Sequence, residues 1–140
     1  MISLSLHHVS ITVTNLERSL EFYTGTIGLK RLQRPAFSSP GAWLDCGGQH
    51  VHLNEKPNPP FPENRKFNPT EIHFALRTEN IEACLQRLRE LGYSEELDER
   101  DPMRIFTDLH GLAGFPQLFL FDPDRNLIEI NAPSLTAVSR

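Results

Sequence analysis

Apolar and polar residues alternate along several short stretches of the chain, a period that predicts strands with one greasy and one polar face. From Leu6 to Val13, the residues His7, Val9, Ile11 and Val13 share one side, while His8, Ser10 and Thr12 share the other. Asn15 then precedes Leu16, Leu20 and Tyr23 at helical spacing, which predicts a capped helix running to about Tyr23 and closed by Gly25 and Gly28. Lys30 to Arg34, Ala42 to Cys46 and His50 to Asn54 read as three more strands, the last two joined across Gly47-Gly48 in a hairpin.

Between Glu55 and Pro69, Pro57, Pro59, Pro60, Pro62 and Pro69 predict a stiff, exposed linker. The order then recurs. Glu71 to Arg77 reads as a strand, and Asn80 caps a helix with Ile81, Leu85, Leu88 and Leu91 on one face, ended by Gly92. Tyr93 to Leu97, Gln117 to Phe121 and Leu127 to Asn131 read as three further strands.

The recurrence extends to individual residues. The stretch "HVSITVTNLERSLEFY" from His8 lies over "HFALRTENIEACLQRL" from His73, so that Asn15 meets Asn80, Leu16 meets Ile81, Glu17 meets Glu82 and Leu20 meets Leu85. With a longer loop between Asp98 and Pro116, "HVHLN" (50–54) lies over "LIEIN" (127–131), and His52 meets Glu129. The reading is an α+β chain of one domain over residues 1–140, built from paired βαβββ modules: module 1 at about 5–54, a Pro-rich linker at 55–69, and module 2 at about 71–131.

Composition adds a few exclusions. The chain has 140 residues, 39% of them hydrophobic, enough for one core. A net charge of -4 without a basic cluster gives nucleic acid no electrostatic footprint. No apolar run approaches a membrane span and no leader pattern precedes Leu6, so the expected location is the cytoplasm and the expected partner a small molecule. Cys46 and Cys84 form no metal-binding spacing; Cys84, on the apolar side of the second helix, is expected to be a buried thiol.

The chemistry resides in four polar positions. His8, His52, His73 and Glu129 occupy two pairs of repeat-equivalent sites, all on the faces opposite the apolar ones. If the two sheets curl toward each other, the four converge in a polar cleft. Imidazoles with a carboxylate suit one borderline divalent ion, Fe, Ni, Co, Zn or Mn. His7 is expected to be a hydrogen-bonded residue of the apolar face, His50 a rim residue, Glu55 a solvated loop carboxylate, and His110 a loop histidine.

The segments "LHHVSITVTNLERSLEFYTGTIGL", "IHFALRTENIEACLQRLRELGY" and "LFLFDPDRNLIEI" resemble the vicinal oxygen chelate superfamily, that of glyoxalase I, extradiol dioxygenases, fosfomycin-resistance proteins and bleomycin-resistance proteins. The resemblance implies the glyoxalase/bleomycin-resistance/dihydroxybiphenyl dioxygenase fold, two curled mixed sheets enclosing a cleft, and a homodimer. It also implies a metal on His8, His73 and Glu129, with His52 at a fourth position often held by Glu in glyoxalase I. Substrates would chelate the metal through adjacent oxygens.

On this reading Glu129 or His52 serves as acid-base group, while Ser10, Gln117, Asn131 and Arg104 are candidates to bind substrate. The turn "DPDRN" carries Arg125 where such proteins usually have Gly, and Arg125 is expected to be a surface substitution. Glyoxalase-like lyase or isomerase chemistry is the leading activity. Extradiol ring cleavage and non-catalytic binding are the alternatives, the ligand set disfavouring the last. Thiol transfer of the fosfomycin-resistance kind matches the same ligands but lacks an evident basic cluster.

Overall fold

A computed structural model describes residues 1–136. The chain divides into two compact units, Met1–Phe61 and a second that begins at Pro62, so the boundary lies inside the Pro-rich stretch.

The first unit contains β1 (His8–Val13), α1 (Leu16–Leu20) with a π-helical continuation (Glu21–Ile27), β2 (Lys30–Leu32), β3 (Gly41–Cys46) and β4 (Gln49–Glu55). Its sheet has the order β1-β4-β3-β2, parallel between β1 and β4 and antiparallel elsewhere. Gly47 and Gly48, with φ of 62° and 92°, supply the two left-handed residues that a tight hairpin between β3 and β4 requires. Val13, Ala42, Leu44, Val51 and Leu53 form the buried face, joined by Tyr23.

Helix α1 does not end near Tyr23 as expected. The helical path widens and runs to Ile27, with the Thr24 hydroxyl donating to the Leu20 carbonyl at 2.6 Å, and stops only at Gly28, whose φ of 91° provides the left-handed cap. Two acceptors hold its start: the Asn15 side chain takes the Arg18 N–H at 3.0 Å, and the Glu55 carboxylate takes the Leu16 N–H at 2.7 Å. Glu55 is therefore the last residue of β4 and a helix-capping group, not a solvated loop carboxylate.

The second unit contains β5 (Phe74–Arg77), α2 (Ile81–Glu90), β6 (Ile105–Asp108), β7 (Gln117–Phe121) and β8 (Leu127–Asn131), ordered β5-β8-β7-β6 with the same parallel and antiparallel pattern. Ile81, Leu85 and Leu88 of α2 are buried, as are Leu118, Leu120, Ile128 and Ile130. Leu91, expected on that helix face, sits at the C-cap and is 44% exposed, and Ile72, expected on the buried side of β5, precedes the strand and is 74% exposed. Cys84 is only half-buried.

The edge strand of this sheet is Ile105–Asp108, not Tyr93 to Leu97. Ser94 makes only an isolated bridge with Arg104, and Asp98 and Asp101 accept backbone N–H groups at Arg100 and Met103 in local turns that compete with a ladder. Most of the extra residues of the second module thus lie before its edge strand.

The later part of the Pro-rich stretch is built into this unit. Phe67 stacks on Phe106 with centroids 4.1 Å apart, and Arg65 is buried. Arg65 and Arg125 exchange donors: Arg65 Nη1 donates to the Arg125 carbonyl at 2.8 Å, and Arg125 Nη2 donates to the Arg65 carbonyl. Arg125 is accordingly not a surface substitution. It holds a positive φ of 65°, is buried, and lies 3.8 Å above the centre of the Phe121 ring. Burial, then the neighbouring Arg65, lowers its pKa.

Candidate functional site

The middle row of the second sheet runs Ala75, Glu129, Phe119, Phe106 across β5, β8, β7 and β6. Glu129 is 5% exposed, and a buried carboxylate needs partners. It has three. Gln117 Nε2 donates to Oε1 at 3.3 Å, Asn131 Nδ2 donates to Oε2 at 2.6 Å, and His73 Nε2 lies 3.3 Å from Oε1. Asn131 is itself fixed by Arg77 Nε, which donates to Oδ1 at 2.8 Å.

His73 precedes β5, and its Nδ1 lies 2.8 Å from the Glu71 carbonyl oxygen. A carbonyl only accepts, so Nδ1 carries the proton, and in neutral imidazole Nε2 is left as a lone pair. That lone pair faces a carboxylate oxygen. Two acceptors 3.3 Å apart need either a proton, carried by the ring or by the carboxyl group, or a cation between them. The spacing equals the edge of a tetrahedron whose ligands stand about 2.0–2.1 Å from the metal, and a ring N–H fixed on a carbonyl is the usual support of a metal-binding histidine. The donor set therefore fits a borderline divalent ion.

In the first sheet the equivalent row is Ser10, His52, Trp43, Leu32. His52 takes the place of Glu129 and Trp43 that of Phe119. The His52 ring is sandwiched, 4.1 Å from His8 with 19° between planes and 4.4 Å from Trp43 with 5°. His52 Nε2 also meets His50 Nδ1 at 3.3 Å. Burial first, then His8, His50, His7 and Arg34, lower the His52 pKa to about 4, so the ring is neutral at pH 7. Lone pairs of imidazole lie in the ring plane, and two nearly parallel stacked rings do not aim theirs at one point 2 Å from each. As placed, His8 and His52 do not share an ion.

His8 meets His7 Nδ1 through its own Nδ1 at 2.9 Å, which leaves His8 Nε2 as its outer nitrogen. His7 is exposed and precedes β1, so it is no part of an apolar face. The Ser10 hydroxyl accepts from Asn54 Nδ2 at 2.6 Å. The Arg104 guanidinium donates to the Leu97 and Ile105 carbonyls at 2.7 and 3.0 Å and covers Phe106, pinning the loop before β6. His110 is exposed on its loop, where it lines a depression with Phe115, Pro116 and Pro133. Among the described residues no three His, Cys, Asp or Glu side chains gather as a metal cluster.

Sequence reasoning overlooked Trp43 and Arg34. Trp43 was within reach of it, since a hairpin closing on Gly47-Gly48 sets Cys46 against Gln49 and hence Trp43 against His52.

Two units of the same βαβββ topology, each presenting a polar row beside a histidine at the start of its first strand, define a protein of the paired-module class. The chain belongs to the Glyoxalase/Bleomycin resistance protein/Dioxygenase superfamily, whose family model matches residues 5–130. It is 32% identical to Glyoxylase I 4 of Arabidopsis thaliana over 96% of this chain and 74% of that protein. It is also 32% identical to metallothiol transferase FosB of Staphylococcus haemolyticus, over 76% of this chain and 77% of that one. The crystal structure of a putative glyoxalase family protein from Bacillus anthracis has the same fold, with a TM-score of 0.72 at 23% identity over 94% of this chain and 97% of that chain.

Proposed function

We propose that the protein is a divalent-metal-dependent enzyme acting on a small molecule that presents two adjacent oxygens, with glyoxalase-like lyase or isomerase chemistry as the leading activity. One observation carries the reading: the His73 lone pair and the Glu129 carboxylate oxygen face each other at 3.3 Å, an arrangement that a cation satisfies. His73 and Glu129, both of the second unit, are the proposed ligands. A bound ion would supply Lewis acidity to the substrate oxygens and lower the barrier to moving a neighbouring proton.

The chain's own residues supply the rest. Gln117 and Asn131 each donate to one oxygen of Glu129, which fixes the carboxylate's orientation and leaves it able to accept or return a proton if a ligand bond loosens. His52, stacked and neutral, presents an imidazole wall beside His8 in place of a second carboxylate.

The second reading is metal-dependent transfer of a thiol, favoured by the likeness to metallothiol transferase FosB and to glutathione transferase FosA of Serratia marcescens, the latter 26% identical over 95% of this chain. Extradiol ring cleavage rests on the superfamily alone. Assaying protein loaded separately with Ni(II), Zn(II), Mn(II) and Fe(II) separates the three. Turnover of the hemithioacetal of an α-oxoaldehyde supports the leading reading, consumption of a thiol with an epoxide supports the second, and oxygen uptake with a catechol supports ring cleavage. Equal rates with and without metal in all three assays would overturn the proposal.

A further inference from the structure

His73 stands one residue before β5, whose register begins with Phe74 opposite Ile128, so His73 and the two residues ahead of it lie outside the paired ladder. Ile72 is exposed, and burial does not anchor the run either. A buried arginine does. Arg65 Nη2 donates to the Ile72 carbonyl at 3.0 Å and lies 3.5 Å from a Glu71 carboxylate oxygen, while Nη1 donates to the Arg125 carbonyl at 2.8 Å. One planar guanidinium thus ties the approach to β5 to the turn that enters β8, and these two parallel neighbours place His73 and Glu129.

Arg125 closes the clasp from the other side, its Nη2 donating to the Arg65 carbonyl while the guanidinium covers Phe121. Burying two guanidiniums side by side opposes folding through desolvation and like-charge repulsion. The geometry that the pair fixes spans three segments: the Pro-rich stretch, the run before β5 and the turn before β8. His73 hangs on the middle one, because its Nδ1 bonds the carbonyl of Glu71, the residue whose side chain and successor Arg65 holds.

We propose that Arg65 is a positioning residue for the candidate metal centre. By holding the Ile72 and Arg125 carbonyls on one fork it orients the His73 imidazole, with Nδ1 on the Glu71 carbonyl and Nε2 toward Glu129, and Arg125 locks Arg65 in place. The later part of the Pro-rich stretch thereby supports the site as well as joining the two units. The cation in this proposal rests on the functional reading above; the orientation of His73 does not.

The test has a metal-free and a metal-bound readout. At about pH 8, well above the ordinary imidazole pKa, long-range proton–nitrogen spectra of EDTA-treated protein distinguish the two ring tautomers, the His73 signals being assigned by their loss in His73→Gln. Wild-type His73 should be held as Nδ1–H, and Arg65→Met should return it to a mixture of both tautomers. In Arg65→Met the dissociation constant for Zn(II), read by competition with a colorimetric chelator, should rise about tenfold or more, the effect of losing the outer support of a ligand. Asn80→Ala, which weakens the same unit at its helix cap, controls for instability and should leave both readouts as in the wild type. Arg65→Lys keeps the charge but not the fork, and stands in with the same criteria if thermal melts show Arg65→Met unfolded. An Nδ1–H tautomer retained in the variant, a Zn(II) affinity within about twofold of the wild type, or the same changes in Asn80→Ala would overturn the proposal. Wild-type protein without affinity for Zn(II) would instead sink the metal reading, and the tautomer comparison alone then decides on Arg65.

Discussion

The two sheets share strand order, pairing and helix placement, yet their middle rows have diverged. In the second, Glu129 stands beside Phe119 and is gripped by Gln117, Asn131 and His73; in the first, His52 stands beside Trp43 and is held by ring stacking. Each environment suits its occupant. A buried carboxylate requires donors, which Gln117 and Asn131 provide, and a counter-charge, which the cation proposed between it and His73 would supply. A buried imidazole can lose its charge, and the first unit pushes it to do so by burial and by the neighbouring histidines and Arg34. Duplicated topology thus carries a carboxylate in one polar row and an imidazole in the other, and the carboxylate row is the one proposed to hold a cation.

The largest effect expected from breaking this difference is on metal binding. With Zn(II) at about one hundred times its dissociation constant, a resident site should stabilise wild-type protein by about 2.7 kcal/mol, read as a rise in melting temperature. Glu129→Gln preserves shape and should abolish that rise, whereas His52→Gln should leave most of it. Equal losses in both variants would mean that the two rows are not distinct in this respect.

A smaller effect separates the turns that enter the last strand of each unit. Gly47 and Gly48 take positive φ without strain, while Arg125 takes 65° with a full side chain. Arg125→Ala keeps the strain and loses the cover over Phe121 and the bond to Arg65, so it should cost about 1–3 kcal/mol in urea unfolding. Arg125→Gly loses the same contacts but relieves the backbone, and should be about 1 kcal/mol more stable than the Ala variant. An Ala variant as stable as the Gly variant would show that the strain is not real.

The helix starts differ as well. At α1 both Asn15 and Glu55 accept backbone N–H groups, whereas at α2 the Asn80 side chain accepts the Ala83 N–H at 3.0 Å. Asn80→Ala should cost about 1 kcal/mol, and Asn15→Ala less while Glu55 remains. The double variant Asn15→Ala with Glu55→Gln should restore a full cost at α1.

The smallest effect is one of pH. The Arg89 hydrogen bond at 2.7 Å is the main cause that lowers the Glu95 pKa. A carboxylate lowered on folding stabilises the protein above its unfolded pKa, about 4.3, and that contribution fades as pH falls through the folded value. Stability should therefore decline slightly below about pH 4, by under about 1 kcal/mol because the pair is partly solvated, and Glu95→Gln should flatten that decline.

Much of this architecture was legible in the sequence because alternation and duplication leave marks that need no packing detail. The match of His8 to His73 and Asn15 to Asn80 located both first strands and both helices, and the Gly47-Gly48 hairpin fixed the β3–β4 register. What escaped depends on contacts distant in sequence. The Tyr93 to Leu97 strand was inferred by copying the first module's spacing, whereas turns at Asp98 and Asp101 carry the chain to Ile105 before it can pair. Arg125 looked like a surface residue because nothing local indicates that Arg65 folds back onto it. For the site, the sequence singled out His73 and Glu129, which the structure brings together. It also placed His8 with them as a ligand and His52 as a fourth, substituted position, since residue type and face cannot reveal that a ring is stacked between two others.

The most direct test of the central claim is the metal content of protein purified without added metal, measured by mass spectrometry for the wild type, His73→Ala, Glu129→Ala and His52→Ala. The expected result is about one divalent ion per chain in the wild type and in His52→Ala, and less than about a tenth of that in His73→Ala and Glu129→Ala. A wild type that neither carries nor takes up a divalent ion, or His73→Ala and Glu129→Ala variants that retain it, would contradict the account.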